Sequence, residues 1–471
     1  MVSGFVTLII FILALGGMII VHELGHYLAS LWAGVEVEEF GIGLPSRAFG
    51  FWRNRGYVIL NGQRIEIPRN FDLHLEWNRL LHEPVSITVD RVEDALVLRS
   101  LQYTETEHNA LDMRNAHELV VDQDGAVEPK TVKEKIVTVG RLRGAIQMDG
   151  EFSEIHAGTL FSMNWLLLGG FVRPKGENDP NIPGGLAAAN PWKRLVVLFA
   201  GPLMNLLTAV VVFAMLIAFE GTPVTGSVNI QTVSENSPAA AAGIQAGDVI
   251  LEINGEKITD IEPAIALIQA NLDKPVKLLI DRNGEQIALT ATPLSTRKKS
   301  EGALGVALGY PTRPATLGEA VGGGAAITAL QAANIVYMPV ALIQGAIAPQ
   351  DARFIGFKGI FDMFDMAVEE DVSSRQEVAA APVPAAAPKP TNWTLNLIGI
   401  LSISLGVMNL FPIPALDGGR ILFTLPEILF RRRIPQQWEN AVNGIAMLIL
   451  IGLMLFVNVM DFVNPVQIPG P

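Results

Sequence analysis

Twenty uncharged residues, Val2–Val21 (VSGFVTLIIFILALGGMIIV), run without a break into His22-Glu23-Leu24-Gly25-His26. No Lys or Arg precedes the run, and no convincing small-residue cleavage site follows, so an uncleaved spanning helix is expected rather than a leader peptide. About 20 apolar residues cross a hydrocarbon core of about 30 Å. Three more segments meet that length: 195–219, 393–413 and 441–463. The expected fold class is a polytopic α-helical membrane protein with about four transmembrane helices. A further stretch, 317–347, is apolar but rich in Gly and Ala, with Gly322–Gly324 and Pro339 inside it. It reads as an amphipathic, surface-lying helix. A fifth span is the rival, and would reverse the direction of the helix at 393–413. Composition agrees: 50% of residues are hydrophobic and only 17% charged, against about 25% charged in soluble domains. That excludes a disordered or fibrous chain. The absence of cysteine excludes disulfides and thiolate metal sites, and a net charge of −13 argues against nucleic acid as a main partner.

The basic residues set an orientation. Lys193 and Arg194 precede the second segment, and Arg431, Arg432 and Arg433 precede the fourth. Held in the cytoplasm by the positive-inside tendency, they place the N-terminus outside, residues 27–192 inside and residues 220–392 outside. The expected location is the inner (plasma) membrane.

His22-Glu23-Leu24-Gly25-His26 has the form HExxH. On a helix, positions i and i+4 share a face, so both imidazoles reach one metal. Zinc suits neutral imidazole, and needs one more protein ligand and an open position. Glu23 would take the proton from the water that attacks a carbonyl. An ionisable cluster closing an uncharged run is costly at membrane depth and is functional by default. At about 1.5 Å per residue, His22 lies near the cytoplasmic boundary. For the third ligand, Glu36, Glu38 and Glu39 follow Gly34 and sit past the helix end. The better candidate is Asp417, in Asn409-Leu-Phe-Pro-Ile-Pro-Ala-Leu-Asp417-Gly-Gly-Arg420. Pro412 and Pro414 break the helix there, and Gly418-Gly419 permits close backbone approach. Taken alone, Asp417 reads equally well as a helix N-cap.

HELGH in the first helix together with NLFPIPALDGGR in a later one resembles the site-2 protease family of intramembrane zinc proteases, with a layout like that of the bacterial sigma-E regulators. Phe40–Pro45 (FGIGLP), Trp165–Val172 (WLLLGGFV) and Gly201–Asn205 (GPLMN) fit the same pattern. The resemblance implies His22, His26 and Asp417 as zinc ligands and Glu23 as general base. It implies Asn409 as a residue that holds substrate, and Gly170, Phe171 and Val172 as an edge strand in a membrane-associated β segment. A transmembrane substrate hides its scissile amide in helical hydrogen bonds, and pairing with an edge strand would hold it extended. A packed hydrophobic strand is the plainer reading of LLLGGFV.

Ser237–Ile258 looks like the core of a PDZ domain, with Asn254-Gly255 and Asn283-Gly284 as hairpin signals. Such a domain binds peptide termini; a size filter against bulky ectodomains is an equal alternative. The expected division is 1–53, first helix and following loop; 54–158, a β-rich cytoplasmic insertion with hairpin signals at Asn61-Gly62 and Asp124-Gly125; and 159–221, β segment and second helix. Then come 222–296, the PDZ domain; 297–371, membrane-surface helices; 372–392, an Ala/Pro-rich tether; and 393–471, the third and fourth helices. The insertion carries His74, His82, His108, His117 and His156 without metal-ligand spacing, so these read as surface histidines. Gly356–Ile360 departs from a family GPxGI-like element at Phe357 and Lys358, and is given no role.

The expected activity is zinc endopeptidase cleavage of transmembrane segments in single-span regulators, such as an anti-sigma factor, or of remnant signal peptides. The alternative from another class is a catalytically silent membrane scaffold that binds peptide termini through its PDZ domain. Intact His22, Glu23, His26 and Asp417 count against it. A third reading, a membrane zinc protease of another fold cutting soluble tails, would need a third ligand other than Asp417.

Overall fold

The computed structural model describes residues 4–69, 80–92, 95–105, 133–138, 146–177, 179–296, 302–347, 354–380, 390 and 392–464. His74, His108, His117 and the Asp124-Gly125 hairpin signal lie outside them. The chain divides into two compact units. One comprises Met1–Ala14, Pro202–Gly419 and Val442–Pro471; the other comprises Leu15–Gly201 and Arg420–Ala441.

Helix α1 (Gly4–Ala33) begins in the first unit, enters the second at Leu15 and ends at Gly34, whose φ of 74° suits glycine. Gly34 N–H donates to Leu31 O and Val35 N–H to Ser30 O, the paired bonds of a Schellman stop. The chain then enters β1 (Val37–Arg53). After it come β2 (Gly56–Leu60), β3 (Gln63–Ile67), β4 (Pro84–Val92), β5 (Ala95–Glu105), β6 (Lys133–Thr138), β7 (Ile146–His156) and β8 (Leu160–Pro174). Strands β2 to β7 form one sheet in the order β3-β2-β7-β4-β5-β6. Its core is Val58, Leu60, Ile65, Ile87, Val89, Leu98, Leu101 and Phe152. Asn61-Gly62 makes the β2–β3 turn, with φ of 52° and 74°. That positive pair is what a two-residue hairpin asks for.

Strands β1 and β8 each fold as two arms. Glu39 pairs with both Arg173 and Leu160, and Phe40 with both Val172 and Phe161. Residues 37–42 therefore lie between 170–174 and 160–163, while 47–53 pair with the far side of 160–164. Among the described residues, the 170–174 arm has a strand partner on one side only. Glu39 braces the sheet, accepting from Arg47 Nε at 3.0 Å and from Ser162 Oγ at 2.6 Å. Burial pushes its carboxyl up. The bonds from Arg47 and Ser162, with the charges of Arg47 and Arg173, more than offset that and hold it below its ordinary value. Phe49, Phe51, Trp52, Trp165, Leu166 and Leu167 are exposed on this ribbon.

Helix α2 (Pro191–Glu220) leaves the second unit at Gly201 and, in the first, is followed by a β-rich region. Its elements are β9 (Thr222–Pro223), β10 (Val228–Val233), α3 (Pro238–Ala241), β11 (Val249–Ile253), β12 (Glu256–Lys257), α4 (Ile261–Ala270), β13 (Val276–Arg282), β14 (Glu285–Ala291), β15 (Val306–Gly309) and β16 (Thr312–Arg313). The sheet order is β14-β13-β11-β10-β15, so the sheet runs past residue 296. Asp248, 1% exposed, accepts from Arg282 Nε and Nη2 at 2.7 Å each. Arg282→Ala would leave that carboxylate buried without its cation. The expected cost is about 3 kcal/mol of this region's stability, measured by urea-dependent proteolysis of the full chain.

Among the described residues, five helices are long and apolar enough to cross a membrane: α1, α2, α5 (Leu317–Ile343), α7 (Trp393–Leu410) and α9 (Gln436–Val463). The other two helices in this stretch are α6 (Phe357–Ala380) and α8 (Asp417–Phe430). Helix α5 runs unbroken through Pro339. A Cβ on Gly324 would lie 2.6 Å from Val210 O, and one on Gly323 would lie 2.6 Å from Ile217 Cδ1. Small residues that let two helices approach closely are how membrane helices pack. Helix α6 continues through Ala380, into the Ala-rich part of the stretch read as a tether, because alanine favours helix and the first proline is Pro382. Asp461 of α9, 1% exposed, accepts from the N–H groups of Gly356 and Gly359, and Asn458 Oδ1 accepts from Phe357. The Gly356–Ile360 element is thus the capped start of α6.

Candidate metal centre

His22 and His26 lie one turn apart on α1, and His22 is only 7% exposed. His26 Nδ1 sits 2.8 Å from Val197 O on α2. A carbonyl only accepts, so Nδ1 carries the proton and Nε2 presents its lone pair. The two Nε2 atoms face each other at 3.2 Å. Two imidazole ligands at about 2.0–2.1 Å from one tetrahedral zinc lie about 3.3 Å apart. The donor pair therefore fits zinc, with the tautomer fixed by a second hydrogen bond as metal-binding histidines require.

Gly201 on α2 makes room for the ring. A Cβ there would lie 2.3 Å from His26 Nε2. This gives the GPxxN stretch a physical reason that its sequence does not carry. Gly201→Ala improves helix propensity yet forces the imidazole to turn. The expected result is a fall in zinc affinity of about 10–100-fold, read by competition with a chromogenic chelator.

Glu23 also reaches the β8 strand. Its Oε2 accepts from Val172 N–H at 3.0 Å, which ties it to the one-sided arm of β8. Tyr27, Val37, Phe40, Phe161 and Val172 pack together behind it. This unit thus brings together His22, Glu23, His26 and Gly170, Phe171 and Val172.

Asp417 and Asn409 belong to the other unit. Asp417 is the first residue of α8, and Asn409 lies in the last turn of α7. The chain between them turns tightly. A Cβ on Gly418 would lie 2.4 Å from Leu410 O, and one on Gly419 would lie 2.4 Å from Ile413 O. Asn443 Oδ1 accepts from Ala415 N–H at 3.1 Å and fastens the turn. Both glycines are needed for α8 to start against the exit of α7, and that turn fixes where the Asp417 carboxylate is presented.

Two convergent imidazoles with a carboxylate beside them in sequence, on the first of several membrane-length helices, are the donor set of a membrane-embedded metallopeptidase. The chain belongs to peptidase family M50, the site-2 protease family, whose model matches residues 10–62 and 150–453. The regulator of sigma-W protease RasP of Bacillus subtilis is 26% identical over 469 residues, covering 96% of this chain and 97% of its own. The zinc metalloprotease RasP of Bacillus licheniformis is 27% identical over 467 residues, covering 96% and 97%. Among solved structures, the PDZ domain of the SdrC-like protein of Listeria monocytogenes matches 18% of this chain and 92% of its own, at 23% identity and a TM-score of 0.17. The protein is a zinc metalloprotease embedded in the membrane.

Proposed function

We propose that this protease cuts within transmembrane segments of single-span regulatory proteins, such as an anti-sigma factor, or of remnant signal peptides. One observation carries the reading. The facing Nε2 atoms of His22 and His26, 3.2 Å apart, follow an uncharged run, and the adjacent Glu23 touches a strand arm that pairs with another strand on one side only. A scissile amide reaching this place from the bilayer must first be extended, and the arm at Gly170, Phe171 and Val172 is placed to pair with it.

Asp417 completes the ligand set with His22 and His26. The tight Gly418-Gly419 turn holds its carboxylate at a helix start, and the family pattern matches it. Asn409, one helical end away in sequence, steadies the extended substrate. Bound zinc would polarise the scissile carbonyl and the attacking water. Glu23 takes the proton of that water and passes it to the leaving amine.

The N-terminus and the 222–313 region face outward, and the active site lies toward the cytoplasm. The two basic clusters support this. Arg194 and Arg433 both donate to Ala187 O, at 3.1 and 2.7 Å, so they lie at one level, as a shared cytoplasmic side requires. The β-rich region acts as a PDZ domain that takes peptide termini. Its edge strand β15 and helix α4 flank a groove of about 700 Å³ lined by Ile261, Ile265, Ile268, Leu304 and Leu308.

The test is a purified full-length preparation in detergent with a synthetic single-span peptide. Cleavage should stop on chelation and return with added zinc. Cleavage that survives complete zinc removal would overturn the proposal.

A further inference from the structure

The 167–172 stretch of β8 runs along one stripe of α1. Leu167 O would lie 3.5 Å from a Cβ on Gly16. A Cβ on Gly169 would rest on Ile19, and one on Gly170 would meet Ile20 and, at 3.9 Å, Glu23 Cγ. Positions 16, 19, 20 and 23 form a single helical face. At the end of that stripe Val172 N–H donates to Glu23 Oε2. An antiparallel strand sends its backbone groups to alternate sides at successive residues. Strand 37–42 pairs with this arm on one side. The Val172 N–H, aimed at Glu23, therefore belongs to the outward set that an added strand would use. A carboxylate oxygen of the general base occupies the place where a substrate carbonyl would bind.

We propose that Glu23 and the extended substrate compete for the Val172 N–H: Glu23 holds it in the resting protein, and a substrate carbonyl takes it as the strand adds, releasing the carboxylate for proton transfer. One N–H···O hydrogen bond breaks and one forms; no covalent bond changes. Val172 is then a positioning residue that acts through its backbone, and strand addition and base release are one event. The inference rests on the reading of Glu23 as the base and of 170–172 as the substrate edge.

The competition is measured as binding, with zinc-stripped proteins so that nothing is cut. The probe is a fluorescent single-span peptide with a glycine-weakened centre, in detergent micelles. Glu23→Ala should bind it about fivefold more tightly than wild type, the weight of one net hydrogen bond. Glu23→Gln should fall between, since a neutral amide oxygen accepts less strongly than a carboxylate. Val172→Pro removes the N–H at a position where an edge strand tolerates proline. It should weaken binding and abolish the effect of Glu23→Ala in the double variant. Equal or weaker binding by Glu23→Ala would overturn the proposal, as would an undiminished Glu23→Ala effect in the Val172→Pro background. If Val172→Pro fails to fold, judged by zinc uptake, the comparison of Glu23→Ala with wild type decides alone. Zinc-loaded wild type is run alongside: failure to cut the peptide sinks the protease reading itself. Cutting without tighter Glu23→Ala binding sinks only the coupling.

Discussion

Glu23→Gln should lower turnover of a transmembrane peptide by about 10²–10⁴-fold, the contribution of a positioned general base, while zinc content stays at the wild-type level. Glutamine matches glutamate in shape and can still accept from the Val172 N–H, which holds Oε2 at 3.0 Å. What it lacks is basicity. The two histidines face each other through Nε2, and the substitution changes neither of them. Single-turnover kinetics with metal analysis of the same sample reads both quantities. A parallel fall in zinc would make Glu23 a ligand or a structural residue, and unchanged turnover would remove it from the chemistry.

Asp417→Asn should have an effect of similar size by a different route. Residues that only orient a zinc ligand cost about 10–100-fold in affinity when changed, and a ligand itself should cost more than the upper end of that range. Activity should fall with zinc occupancy and be partly restored at high zinc. The substitution separates the two readings of Asp417. It is the first residue of α8, where a carboxylate also suits the helix dipole. Asparagine is among the best residues at a helix start. If Asp417 served only to start α8, Asp417→Asn would leave zinc content untouched.

Much of this architecture is legible in residue order, for physical reasons. Uncharged runs of membrane length declare themselves, and HExxH declares a shared helical face, because both are local patterns. The Asn61-Gly62 hairpin is local too. The less legible features depend on approach between distant segments. Gly201 looks like any helix glycine until the His26 ring is found 2.3 Å from where its Cβ would be. The Gly356–Ile360 element carries no sign of its partner, because its donors are backbone N–H groups and its acceptor, Asp461, lies on another helix. The two-armed course of β1 and β8 is hidden for the same reason: each arm pairs with residues more than a hundred positions away. Helix α5 reads from its Gly and Ala content as a surface-lying helix. Those same small residues let Gly323 and Gly324 approach α2, a packing that depends on a distant segment; by length and composition α5 meets the membrane-crossing criterion, which decides neither for the surface-lying helix nor for the span. The proposed third ligand is the limiting case. The sequence offers Asp417 as a carboxylate between helix-breaking prolines and a Gly-Gly pair, and the family resemblance offers it as a ligand, but no spacing rule connects it to His22.

The His22–His26 pair and Glu23 are expected to act on a peptide bond inside an apolar segment. The direct test places the full-length protein in liposomes with a single-span substrate and maps the cut by mass spectrometry of both products. One or a few adjacent cuts should fall within the apolar segment, lost with a zinc chelator and lost in Glu23→Gln. Cuts confined to the soluble tails, or a cut within the segment that persists in Glu23→Gln, would contradict it.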